Sequence, residues 1–164
     1  MHGREQGEDG LDSRMIEEDF RGIGAHIMGR SMFGGGPGPW DESWRGWWGE
    51  EPPFHAPVFV LTRHPREPLE MAGGTTFEFV TDGPEAALER AREAADGADV
   101  AVAGGAETVD QFLRAGLLDE LHLHVVPVVL GGGTRLFRDV GPRPLELAEV
   151  NASPGVTHLR YLVG

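Results

Sequence analysis

The chain contains no cysteine. That absence removes disulfides, thiolate nucleophiles and cysteine-based zinc sites together. Long apolar runs are missing as well. No stretch reaches the ~18 residues of a membrane-spanning helix and no secretory h-region is present, so the cytoplasm is the expected compartment by elimination. Basic residues are few: Lys and Arg total 14 against 27 Asp and Glu, for a net charge of −13 and a pI near 4.8. No cluster of Lys and Arg stands out of that acidic background, so neither nucleic acid nor an anionic membrane is an expected partner. An anionic cofactor remains compatible, because backbone N–H groups and one or two arginines hold a phosphate locally. No serine occupies a G-x-S-x-G elbow. The acid pairs Glu17-Glu18 and Glu50-Glu51 read as solvated charge rather than as the separated carboxylates of a glycosidase.

What is present suits one globular domain over residues 11–164, preceded by a polar, glycine-rich stretch, Met1–Gly10, expected to be flexible. Asp12–Gly22 reads as a short helix capped by Asp12 or Ser13, with Met15, Ile16 and Phe20 as apolar anchors. Ala25–Met28 is a brief strand, and Gly34–Pro39 is too rich in glycine and proline for a regular element. Val58–Leu61 is continuously apolar, as a strand buried on both faces must be, and Phe77–Val80 is another strand. Asp82-Gly83-Pro84-Glu85 starts a helix that runs to Ala95. Val100–Ala103 is a strand, followed by a helix from Glu107 to Ala115 with Gly116 at its C-cap. The remainder is β-rich: Glu120–Val126, the apolar run Val128–Leu130, a short anchor at Leu136-Phe137, then Leu145–Val150 and Val156–Val163. Strand–helix–strand–helix followed by a run of strands gives an α/β fold, a mainly parallel sheet with an antiparallel C-terminal edge.

The most informative stretch is VAVAGGAET, Val100–Thr108, where a buried strand meets two glycines and a helix begins at once. Glycine lets backbone approach a ligand, and the helix N-terminus offers unpaired N–H groups and a partial positive charge, an arrangement that suits a pyrophosphate. A tight turn explains the same residues without any ligand, and the spaced G-x-G-x-x-G fingerprint is absent. Two further strand ends carry phosphate-compatible groups. MGRSMF places Arg30 just past one strand, and LTRH places Arg63 just past another, where a guanidinium would suit the 2′-phosphate that separates NADP from NAD.

Taken together, MGRSMF, VFVLTR, VAGGAETVDQFL and DELHLHVVPVVLGGGTRLF resemble the dihydrofolate reductase-like superfamily, and within it the riboflavin-biosynthesis reductase group with the RibD C-terminal domain. The resemblance runs from about Asp12 to the C-terminus. It implies a three-layer dihydrofolate reductase-like fold, NADPH as cofactor, and hydride transfer to a C=N or C=O of a small heterocyclic substrate of pteridine or pyrimidine type. It also implies that Gly29, Arg30 and Ser31 contact cofactor phosphates, that Thr62 and Arg63 lie near the adenosine 2′-phosphate, and that Gly104, Gly105, Ala106, Glu107 and Thr108 wrap the pyrophosphate. The sequence departs from its relatives at the start. They begin with a hydrophobic strand and a Ser-x-Asp-Gly segment, where this chain has MHGREQGEDG. The first strand is therefore expected to be missing, through a start assigned at an internal Met, a truncation, or a strand supplied by another chain. An inactive or self-associating family member is the alternative function, and a homodimer the expected assembly.

Asp12 lies near the place of the relatives' substrate-binding acid but one residue out of register, and an N-cap role accounts for it better; no proton donor is assigned. Trp40, Trp44, Trp47 and Trp48 fall at i, i+4, i+7 and i+8, the stripe of a short amphipathic helix packed on the core. The sharper reading makes the stripe an aromatic wall or lid over a flat heterocyclic substrate, with Trp40 and Trp44 as its contacts, or else a dimer surface. His122 and His124 share a strand face with Glu120, and His158 joins them in a candidate metal site that lacks a clear ligand pattern. No metal is expected.

Overall fold

A computed structural model describes residues 5–164. The chain groups into two compact units, one formed by Gly22–Gln111 and the other by the N-terminal residues up to Arg21 together with Phe112–Gly164.

In the first unit β1 (Ile23–Gly29), β2 (Pro57–Leu61), β4 (Thr76–Val80) and β5 (Asp99–Gly104) run parallel, with the two-residue β3 (Leu69–Glu70) antiparallel at one edge. The expected buried strand at Val100–Ala103 is corrected: β5 is an edge strand, only half-buried, with Ala103 exposed. The sheet order is β3-β4-β2-β1-β5. Ala25, Ile27 and Met28 of β1 and Val58, Phe59 and Val60 of β2 are buried, as central parallel strands require. Arg30–Phe33 forms a single helical turn, α2. Helix α3 (Pro84–Ala95) starts with Pro at its first turn and buries Ala87, Leu88, Ala91 and Ala95, one stripe at helical spacing, against β1, β2 and β5. Asp82 does not cap it. Gly83 takes the N-cap position, and Asp82 accepts a hydrogen bond from Arg90 at 3.1 Å instead. Helix α4 (Ala106–Arg114) begins in this unit directly after Gly105.

The tryptophan stripe corrects the sequence reading, for residues 40–49 form no helix. Gly46, between Trp44 and Trp47, takes positive φ (+94°), which interrupts any helical run through the four tryptophans. The rings still pack. Trp48 stacks on Phe77 at 5.7 Å and meets Phe54 edge-on, so the segment forms an aromatic layer from irregular chain.

The second unit joins α1 (Glu5–Phe20) to an antiparallel sheet, β6 (Glu120–Val125), β7 (Leu145–Ala152) and β8 (Thr157–Val163), in the order β6-β8-β7. The antiparallel C-terminal strands thus form a sheet of their own. Of the stretch expected to be flexible, Met1–Arg4 lie outside the described residues, and Glu5–Gly10 are the first turns of α1. Asp12 is accordingly inside the helix rather than its cap. Ile16 is also no anchor, being 55% exposed. The side of α1 that meets the sheet carries Asp12, Met15 and Asp19, at helical spacing. Residues 126–144 carry no strand, so the run Val128–Leu130 is corrected to a loop, with Val129 97% exposed. Pro127 cannot donate to a ladder, and Val128 N–H turns back to the Val126 carbonyl at 2.8 Å. Phe137 is 40% exposed with φ +65°, a poor anchor for the same loop. No described helix is long and apolar enough to cross a membrane.

Candidate functional site

Parallel strands deliver their carboxyl ends to one edge of a sheet, and ligands of open α/β sheets bind there. In the first unit Gly29 pairs in register with Leu61, and Met28 with Gly104. The segments that follow, Arg30-Ser31, Thr62-Arg63 and Gly105-Ala106, therefore leave the sheet side by side. The expected cofactor-binding residues, scattered along the sequence from Gly29 to Thr108, share this edge.

Gly29 is where the edge is tightest. A Cβ there would overlap Thr108 Oγ1, so α4's first turn sits directly on the β1 end. Thr108 is buried, and Val109 N–H donates to the Gly105 carbonyl at 3.1 Å, while Glu107 and Ser31 are exposed. A cis peptide joins Gly104 to Gly105. On β2, Thr62 N–H donates to Val80 O at 3.1 Å, and the Thr62 hydroxyl accepts from His64 N–H at 3.1 Å, closing a local turn that leaves Arg63 exposed.

Arg30 is the most unusual group on the edge. Its guanidinium lies 3.6 Å from the centre of the Trp40 ring, and all three of its nitrogens are buried with no hydrogen-bond acceptor among the described residues. Buried guanidinium N–H groups without acceptors are costly, so the position suits an anion. A cofactor phosphate there would supply the missing acceptors. Trp40 donates its Nε1–H to His64 O at 2.7 Å and packs edge-on to Phe33 and Phe79. Trp44 donates to Phe33 O at 3.1 Å. Both indoles are thus bonded into the unit itself. Trp47 is exposed and stacks on Trp48 at 4.5 Å.

Sequence reasoning missed Arg66. Its side chain is only 1% exposed, and its guanidinium lies 5.2 Å from the Trp40 ring and 5.3 Å from Phe79. No motif marks it. The one available signal was an arginine close behind the strand end at Leu61.

The second unit holds a separate polar cluster between α1 and its sheet. His158 Nε2 meets Asp12 Oδ1 at 2.9 Å, and its Nδ1 meets His124 Nδ1 at 2.8 Å, one ring donating to the other. His124 Nε2 reaches Asp19 Oδ2 at 3.0 Å. His122 lies between Asp19 (2.9 Å) and Glu120 (3.1 Å). A cavity of about 280 Å³ opens here, lined by Asp19, His122, His124, Asn151 and Arg160 among others. The Asp19 hydrogen bond raises the His122 pKa, against the opposing effect of burial. Burial by itself would raise Asp19, but its bonds to His122 and its attraction to His124 outweigh that and hold it low. Hydrogen bonding from His158 lowers Asp12. Among the described residues no group of three or more His, Asp or Glu is placed to hold a metal ion. The sequence grouped the three histidines correctly but could not supply their partners on α1.

Comparison with known proteins bears on the family and the fold. The profile of the RibD C-terminal domain matches residues 1–159. Two uncharacterised Bacillus subtilis (strain 168) proteins are similar over part of the chain. YwjB is 37% identical over 62 residues and YyaP 43% over 68, covering 38% and 40% of this chain but only 35% and 36% of those proteins. Among solved structures, a protein assigned to riboflavin biosynthesis from Shewanella sp. PV-4 superposes with a TM-score of 0.65 at 21% identity, over 91% of this chain and 78% of that one. A diaminohydroxyphosphoribosylaminopyrimidine deaminase/5-amino-6-(5-phosphoribosylamino)uracil reductase from Thermotoga maritima gives 0.57 at 17% identity, over 95% of this chain and 49% of that one. At such identities the structures establish the fold alone. The profile spans nearly the entire sequence, and on that ground the chain belongs to the RibD C-terminal domain family.

Proposed function

We propose that this chain is an NADPH-dependent reductase that transfers hydride to a C=N or C=O of a small pteridine- or pyrimidine-like heterocycle. The observation that carries the reading is the shared edge: the ends of β1, β2 and β5 lie in register, with Arg30 buried there without an acceptor. Gly29, Arg30 and Ser31 hold cofactor phosphate on one side, and Thr62 and Arg63 offer a hydroxyl and a cation to the adenosine end. Gly104, Gly105, Ala106, Glu107 and Thr108 bring backbone N–H groups to the pyrophosphate at the start of α4. The nicotinamide ring, when bound, supplies the hydride. The reductase named among the structural neighbours supports the same reaction class. Of the candidate substrate contacts, Trp40 and Trp44 lie in the unit that carries the edge and are already bonded within it, so a substrate competes with those bonds; Asp12 is likewise bonded, within the other unit. Titration with NADPH while following cofactor fluorescence tests the reading. Saturable binding supports it, and a folded sample that binds nothing at high micromolar cofactor overturns it.

A second reading, self-association into a homodimer with or without turnover, rests on one observation. On the face of the second sheet opposite the histidines, Leu145, Leu147 and Val150 of β7 are exposed, an apolar row on an edge strand. Native mass spectrometry is expected to give a dimer that Leu147→Glu dissociates. A wild-type monomer at micromolar concentration sinks it.

A further inference from the structure

We propose that the contacts seating α1 on the second sheet form a two-proton clamp: His122, His124 and His158 together hold two protons beyond their neutral state, and α1 lifts when those protons leave. The clamp lies wholly within the second unit and is independent of the reductase reading. Its proton count follows from which ring nitrogens are engaged. His122 meets Asp19 through Nδ1 at 2.9 Å and Glu120 through Nε2 at 3.1 Å, so both of its nitrogens face carboxylates. His124 meets Asp19 through Nε2 at 3.0 Å, and His158 meets Asp12 through Nε2 at 2.9 Å. The register of β6 and β8 sets His124 opposite His158, and their Nδ1 atoms face each other at 2.8 Å, a separation that needs one hydrogen between them. These are five contacts, and each requires one N–H, because an ionised carboxylate or a ring lone pair only accepts. A neutral imidazole has one N–H, so the three rings supply three when neutral and are two short. One added proton makes His122 a cation, and the other is shared by the facing Nδ1 atoms of His124 and His158.

The surroundings put those protons on the rings rather than on the acids. Hydrogen bonding from His158 holds Asp12 low, and hydrogen bonding from His122 does the same to Glu120. Ser153 donates its hydroxyl to Asp12 Oδ2 at 3.0 Å, so that carboxylate accepts on both oxygens. The charged groups that face the rings are Asp12, Glu18 and Asp19 from α1, Glu120 from β6, Glu149 from β7 and Arg160 from β8. Arg160 lies 3.6 Å from Glu120 and 3.5 Å from Glu149. Among the described residues five carboxylates thus stand against one guanidinium, a surplus of negative charge that favours extra protons on the imidazoles.

On the side of α1 that meets the sheet, Met15 lies between Asp12 and Asp19, while Ile16 points to solvent, 55% exposed. The polar contacts therefore carry much of the seat. When the two protons pass to solvent, two Nδ1 lone pairs face each other and one carboxylate faces a ring nitrogen without hydrogen, and both arrangements are unfavourable. A third proton acts differently. It parts His124 from His158 but leaves each Nε2–H on its carboxylate, so α1 stays seated until the acids themselves titrate. Release belongs to the alkaline side alone. Asp19 walls the cavity of about 280 Å³ from one side, and His122, His124, Asn151 and Arg160 wall it from the other, so lifting α1 opens it to solvent.

The test is hydrogen exchange of the α1 peptide in the full chain, in EDTA to exclude adventitious metal, from about pH 6 to about pH 9. Wild type, His122→Gln, His124→Gln and the double variant are compared after correction for the intrinsic pH dependence of exchange. Each proton released on opening multiplies the opening constant about tenfold per pH unit. We expect the wild-type constant to rise with a slope approaching two protons, about 100-fold per pH unit, and each single variant to fall to about tenfold. The double variant, whose contacts need no added proton, should be nearly flat. Side-chain ¹⁵N NMR of the wild type reads the same protons without any substitution. It should show His122 protonated on both nitrogens, and an N–N coupling across the His124–His158 hydrogen bond that disappears as α1 opens. Wild-type protection that is flat over this range, or a double variant that keeps the wild-type slope, overturns the clamp. So does a spectrum of three neutral rings with α1 still protected, a result that decides the matter even if the variants fail to fold.

Discussion

Gly29 and Thr108 set the tolerance of the strand edge to a single carbon. An alanine at 29 places its Cβ against Thr108 Oγ1, in a buried contact where backbone and side chain have little room to give. Gly29→Ala is therefore expected to cost about 1–3 kcal/mol of stability and to weaken cofactor binding. Thr108→Ala, which removes the obstructing oxygen, is expected to restore most of the loss in the double variant, whereas Thr108→Ser, which keeps it, is not. Urea melts of these variants and the wild type decide the matter, and equal destabilisation with and without Thr108→Ala would show that the contact is not the cause. The residues of this edge were legible in the sequence because strand ends announce themselves: an apolar run stops and a glycine or arginine follows. Arg66 was not legible, since what defines it is burial beside Trp40, a tertiary fact. Asp12 was misplaced for a similar reason, its partner His158 lying 146 residues away.

Among the elements, the central strand β2 was the most legible, because a strand buried on both faces has to be apolar throughout. Helix α3 was equally plain from Pro84 at its start and its alanine-rich stripe. The tryptophan segment was not, as the spacing fits a helix while Gly46 lies among the tryptophans and adopts a φ value a helix cannot contain. Helix α1 inverts the usual rule for surface helices. Apolar periodicity does not orient it; the acids Asp12 and Asp19 face the sheet and are held there by three histidines. Choosing anchors by hydrophobicity selects Ile16, which points to solvent. The run Val128–Leu130 shows the complementary error, apolar composition without the ladder that would bury it, after a proline that breaks the pairing.

At the scale of the molecule the two units respond to pH in opposite directions. His26, in the core of the first unit, is pushed down to about 4 by burial, against an ordinary 6.5. It is neutral when folded, while the unfolded chain takes up a proton, so stability falls as pH drops from 6.5 towards 4, by on the order of 3 kcal/mol at completion. His122, in the second unit, is raised above 6.5 by Asp19, so its contribution is full below 6.5 and is lost as pH climbs through its folded value. Asp12, Asp19 and Glu120 are all lowered, and what they add is lost only in stronger acid. Hydrogen exchange resolved by peptide should therefore show β1 and β2 loosening on the acid side and β6 and β8 on the alkaline side, relative to about pH 6.5. His26→Phe should flatten the first trend and His122→Gln the second; trends of the same sign in both units would refute the assignment.

If the carboxyl edge of the parallel sheet receives a dinucleotide, Arg30 is the group whose loss must be felt. The most direct measurement is calorimetric titration of the folded chain with NADPH, in wild type and Arg30→Gln. One saturable site is predicted, of micromolar order and weakened about tenfold or more by the substitution, since the bound phosphate would lose its buried guanidinium partner. Absence of binding at high micromolar NADPH, or binding that Arg30→Gln leaves unchanged, would contradict it.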